Sequence, residues 1–123
     1  MTLGLSLAVV FQMAHCHAEA DFPVPDAEHR MDSAWAEHQL ATTVDFARDS
    51  RVLTWMLGGL NFQVEHHLFP RVCHTHYPAV SKIVEATCRE YGVRFRSHDT
   101  LGQALVAHAR WLYAMGRPGA LPA

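Results

Sequence analysis

The chain has 123 residues, half of them apolar, and a formal net charge of −2. That length is one domain or a piece of one, and the near-neutral balance excludes the basic stripe of a nucleic-acid binder. Ten histidines stand out; imidazole is the commonest metal ligand and titrates near neutrality, so metal or proton chemistry is favoured. Cys16, Cys73 and Cys88 are odd in number, widely spaced and without a C-x-x-C pair, which is neither a disulfide framework nor a zinc ribbon.

Thr2 to about His17 reads as a helix built on the apolar run Leu3 to Ala14, "LGLSLAVVFQMA". The run is shorter than the roughly 20 residues that span a bilayer. A secretory signal is one reading, because "AEA" at Ala18 to Ala20 resembles a cleavage site. Against it, no Lys or Arg precedes the run, and the first basic residue is Arg30. The other reading is the last half of a membrane helix that begins upstream. Two prolines in "DFPVPD", Asp21 to Asp26, then enforce an extended loop. Asp32-Ser33 is expected to cap a short helix over Ala34 to Leu40, with Glu37 suited to its positive end. "ATTVDFA", Ala41 to Ala47, is β-branched and ambiguous between helix and strand.

Helix-like spacing extends from Arg51 to about Leu68. Gly58-Gly59 weakens it by roughly 1 kcal/mol per glycine and implies close packing or a bend. Another helix is expected from about Pro78 to Tyr91, with Val80, Ile83, Val84 and Thr87 at helical spacing and Gly92 as its stop. "VRFRS" is a short extended link. Asp99 or Thr100 caps a last helix through Tyr113, ended by Gly116 and Pro118, before a frayed tail. No repeat or linker divides the chain.

The chemistry is concentrated in "GGLNFQVEHHLFP", Gly58 to Pro70. In a helix, Gln63 lies three residues before His66 and four before His67, so the three share one side. Two adjacent imidazoles would suit neighbouring metal ions, and the Gln63 carbonyl would ligate or orient a bound water. Glu65 projects elsewhere and would hold a histidine's second nitrogen, with Asn61 as a further outer residue. An isolated His-His pair is more often an ordinary pair bonded to carbonyls.

The surrounding words alter that balance. "GGLNFQVEHHLFP" closely resembles the third histidine box of membrane fatty-acid desaturases. Its form with Gln first is that of front-end (Δ6/Δ5-type) enzymes and the bacterial acyl-CoA or linoleoyl-CoA desaturase-like group. "LAVVFQMAH" resembles the end of the family's last transmembrane helix, where a histidine completes the metal site. "ATTVDFAR", "VLTWMLGGLN", "CHTHYPAVSKIVEATCREYGV" and "QALVAHARWLYAMG" are similar to the segments around and after the box, so the resemblance covers essentially the whole chain. One departure is Asp45, where the family pattern "T-x-N-F-A" has asparagine.

The resemblance implies a mostly α fold: residues 1–17 as the end of a transmembrane helix, and residues 18–123 as a cytosolic helical cap. It makes His66 and His67 iron ligands, Gln63 the variant first position and His15 a further ligand, with no catalytic residue separable from these. It also implies a di-iron centre, O2 as co-substrate, and a fatty acyl substrate carried on CoA or lipid. Electrons would come from a ferredoxin or cytochrome b5-type donor. The expected location is the membrane, with most of this segment on the cytoplasmic side. His74 and His76 are read as an ordered turn, and His17, His29, His38, His98 and His108 as non-ligands. The family's two earlier boxes, of the H-x₃₋₄-H and H-x₂-HH kind, do not occur in these residues. Three or four ligands cannot saturate two irons that each take about five or six, so the chain is expected to be inactive alone. The competing readings are a non-catalytic fragment that docks on an upstream desaturase half and a small soluble zinc- or haem-binding helical domain.

Overall fold

The computed structural model describes residues 2–16 and 19–117. The expected non-ligand His17 and the tail 118–123 lie outside the described residues. The chain is mostly helical, in the order α1 (Thr2–His15), α2 (Trp35–Thr42), β1 (Asp45–Phe46), α3 (Arg51–Met56), α4 (Gln63–Leu68), a 3-10 turn (His74–His76), α5 (Tyr77–Glu90), β2 (Ser97–His98) and α6 (Leu101–Met115). No helix among the described residues is long and apolar enough to cross a membrane.

Two short strands organise the packing. β1 and β2 pair in parallel, Asp45 opposite Ser97 and Phe46 opposite His98. Successive strand residues point to opposite faces, and each face of β1 has its own core. Phe46 joins Val10 and Met13 of α1, Ala104 of α6, and Leu53 and Leu57 in one cluster. A second cluster gathers Leu40 of α2, Val64 of α4, and Val84 and Cys88 of α5. Asp45 lies on that second side, where its Oδ1 accepts from the Val64 N–H at 3.0 Å.

Two expectations are corrected by the backbone. The helix expected from Arg51 to Leu68 is two helices, because Gly58 and Gly59 take φ of +59° and +81° and turn the chain between them. The bend also places Gly59 against the 3-10 turn, where an added Cβ would lie 2.7 Å from His74 Cβ. At α2, Ala34 stands at the cap position without a side-chain hydrogen bond, so neither Asp32 nor Ser33 caps it. The "VRFRS" link leads into β2 at Ser97, a pairing that two residues of strand cannot announce in a sequence. The last helix follows its signals: Thr100 and Gln103 form a capping box.

Two long-range side chains lock the ends of the chain. Arg96, 7% exposed, donates to the carbonyls of Leu40 and Ala41 and to Asp21 at 2.6 Å. It ties the loop after α1 and the end of α2 to the approach to β2. Arg96→Ala is expected to destabilise by about 2–3 kcal/mol, because buried carbonyls lose charge-assisted donors; urea unfolding checks it. His108 of α6 donates from Nδ1 to the Cys16 carbonyl at 2.7 Å, while its Nε2 lies 3.0 Å from Gln12 Oε1.

Candidate metal centre

Three histidines from the N-terminal helix and the middle of the sequence meet. His15 sits in the last turn of α1, and His66 and His67 in the last turn of α4. The His15 and His67 rings stand edge to face with centroids 5.0 Å apart, and the His66 and His67 rings are 5.7 Å apart at 85°. His15 Nδ1 lies 3.3 Å from the Thr42 carbonyl oxygen. A carbonyl only accepts, so Nδ1 carries the proton and Nε2 keeps its lone pair. His66 Nδ1 lies 3.4 Å from the hydroxyl of Tyr77, which is buried; the tautomer donating to that oxygen likewise frees Nε2. Burial keeps the Tyr77 phenol protonated by raising its pKa. Outer partners of this kind orient metal-binding imidazoles.

Burial lowers the His67 pKa first, and the neighbouring His15 and His66 lower it further. The neutral, lone-pair-bearing form of His67 therefore persists to lower pH than in an ordinary imidazole. In donor chemistry the three rings fit a metal. In number they fit only part of a centre, because among the described residues no group of three or more His, Cys, Asp and Glu side chains is arranged to enclose an ion. His74 and His76 are exposed on the 3-10 turn and make no hydrogen bond or ring contact with the three rings.

Asn61, Gln63 and Glu65, from the same stretch, are buried. Gln63 is 1% exposed, and its Nε2 finds no hydrogen-bond acceptor among the described residues. Asn61 donates from Nδ2 to Thr54 Oγ1 at 3.0 Å and to the Ala47 carbonyl at 3.4 Å, clasping the glycine turn to β1. Glu65 has no hydrogen bond to a histidine; it faces Asp45 across the strand–helix contact. Both carboxyl groups are wholly buried. Desolvation raises the pKa of Asp45 well above the carboxylate range and the charge of Glu65 raises it further, while desolvation raises that of Glu65. Asp45 Oδ2 and both Glu65 oxygens lack a donor among the described residues; a proton on one carboxyl would bridge one oxygen of each. Asp45 Oδ1 also serves α4, whose cap residue Phe62 supplies no side-chain bond.

Sequence reasoning missed Tyr77 and the Thr42 carbonyl. Tyr77 stands eleven residues from His66, across the turn from Pro70 to Pro78, and a backbone carbonyl carries no side-chain signal at all.

The family model for the fatty acid desaturase matches residues 1–99. The chain belongs to the fatty acid desaturase family. Among curated relatives, an sn-1 linoleoyl-lipid 6-desaturase of Arthrospira platensis is 46% identical over 94% of this chain and 31% of its own length. The Synechocystis protein of the same description is 41% identical over 95% of this chain and 33% of its own. An acyl-lipid (8-3)-desaturase of Physcomitrium patens is 45% identical over 92% of this chain and 23% of its own. This desaturase-family chain thus spans about a third or less of the length of those relatives. No solved structure matches it.

Proposed function

We propose that the chain supplies the third-histidine-box part of a di-iron membrane desaturase that uses O2 to introduce a double bond into a fatty acyl chain. The observation that carries this reading is the convergence of His15 on His67, with ring centroids 5.0 Å apart. Two helices some fifty residues apart in the sequence bring a shared donor set together at the residues of the box. Iron, when bound, would supply the oxidation of an unactivated C–H bond, chemistry that no amino-acid side chain performs.

The chain's own residues would bind and orient. His15, His66 and His67 would ligate through the nitrogens left free by Thr42 and Tyr77, and Gln63 would ligate weakly or hold water. α1 would be the end of a transmembrane helix and the rest a cap on the cytoplasmic side. The names of the relatives favour an acyl chain linked to lipid over one on CoA. Electrons would come from a ferredoxin or cytochrome b5-type partner. With too few ligands for two irons, the 123 residues alone would be inactive.

The test is to express the chain alone and joined in frame to the upstream part of a full-length desaturase, assaying bound iron and unsaturated acyl product. Only the joined protein is expected to form product. In it, His66→Ala or His67→Ala should lower iron affinity by at least the roughly 10–100-fold that loss of an outer-sphere partner costs, with helicity retained by circular dichroism. Product from the chain alone, or iron binding indifferent to both substitutions, would refute the reading.

A further inference from the structure

α3 is apolar on two sides, and only one of them is used. Leu53 and Leu57 pack into the cluster around Phe46. Val52, Trp55 and Met56, at positions i, i+3 and i+4, form a second row that is 69%, 83% and 67% exposed. Such a row on a short helix is unfavourable in water and calls for a covering surface. The charges beside it are mixed, with cations in excess. Residues 1–49 hold eight acidic and two basic side chains, whereas residues 50–123 hold four acidic and eight basic ones. A cleft of about 690 Å³ between α3 and α5 is lined by Arg48, Arg51, Trp55, His74 and Lys82, with Asp49 among its walls. Glu85 neutralises Arg48 at 2.9 Å. Arg51 and Lys82 form no ion pair among the described residues.

We infer that the outer face of α3 docks on an anionic lipid surface, with Val52, Trp55 and Met56 at the acyl boundary and Arg51 and Lys82 on headgroup phosphates. The chemistry is that of an interfacial element: a tryptophan and aliphatic side chains beside long cations that reach up to the headgroups. Continuity supports the lipid as the occupant. α1, which exposes Leu5, Leu7 and Phe11, packs into the same core cluster as α3. The inference deepens the membrane reading above by adding a second contact, distinct from α1.

The experiment follows the fluorescence of Trp55 in the full chain carrying Trp35→Phe and Trp111→Phe, mixed with vesicles of phosphatidylcholine alone or with phosphatidylglycerol. Expected are a blue shift, quenching by lipids brominated near the headgroup, and tighter binding to the anionic vesicles. Arg51→Gln or Lys82→Gln should weaken that anionic preference about fivefold each, and Val52→Gln with Met56→Gln should abolish the quenching. These positions are exposed, so the fold is expected to survive. If the chain binds vesicles while Trp55 stays unquenched, the inference is overturned and α1 alone makes the membrane contact; the face then belongs to protein, either a second copy or the rest of a longer chain. If the chain binds no vesicle at all, the membrane reading fails with it.

Discussion

Gly59→Ala is expected to destabilise the fold by about 2–5 kcal/mol, whereas Gly58→Ala next to it costs only about 1–2 kcal/mol. Both residues hold positive φ, +59° at Gly58 and +81° at Gly59, and a left-handed conformation costs an L-residue roughly 1–2 kcal/mol. Gly58 pays nothing more, because an added Cβ meets nothing within 4 Å. At Gly59 the added carbon would stand 2.7 Å from His74 Cβ and 3.2 Å from Tyr77 Cδ2. The first contact cannot be relieved by a rotamer change, since a Cβ moves only with its backbone, and overpacking of this kind adds about 1–3 kcal/mol. The damage also reaches the histidines: pushing Tyr77 moves the hydroxyl that meets His66 Nδ1. Urea unfolding of the two variants should separate them clearly; equal midpoints would show that the turn relaxes freely.

Asp45→Asn is expected to stabilise the protein, against the usual direction of a core substitution. Asparagine keeps an oxygen for the Val64 N–H and gains an NH2 group to donate toward Glu65, which can then ionise against a donor. The pH dependence fixes the sign. In the folded state Asp45 holds its proton to higher pH than in the unfolded chain, where its pKa is about 4, because it is buried and faces Glu65. The folded state therefore binds more protons than the unfolded one between that value and the raised one. Stability must fall as pH rises through this window and stay low above it. Asparagine does not titrate, so the advantage of Asp45→Asn grows with pH. Its size near neutrality reads out how far burial and Glu65 raise the Asp45 pKa, at about 1.4 kcal/mol per unit. Asp45→Ala should do the reverse in the folded state, removing the cap of α4 and leaving Glu65 without a partner. Unfolding curves at acid and neutral pH decide it: an Asn variant no more stable than the parent at neutral pH would mean that the two carboxyls do not share a proton.

The grouping of Gln63, His66 and His67 was legible because residues within one helical turn carry their geometry in their spacing. Gln63, His66 and His67 do lie on one short helix. The pairing of His15 with His67 was reachable only through resemblance, since nothing in the sequence between them encodes a contact. The break at Gly58-Gly59 was half visible: glycines announce a weak helix, but which way they turn the chain depends on His74 and Tyr77 packing against them. Glu65 was the residue local reasoning placed least well. A helical wheel says only that it points away from His66, and its actual neighbour, Asp45, comes from a two-residue strand too short to leave a pattern. The substitution of an acid where the family pattern has asparagine was visible, while its effect needed the burial of both carboxyls.

The tie made by His108 bears on how this protein can be divided. The match to the family model stops at residue 99, a natural place to end an expressed domain. α6 begins just beyond it, and its buried imidazole grips the backbone of Cys16, the neighbour of His15. A truncation at that boundary would remove this hold on the end of α1 and leave His15 placed by the bonds of Ala14 and His15 to residues 42–44. The minimal unit for any study of the histidines therefore extends through α6, past the boundary that sequence matching would draw.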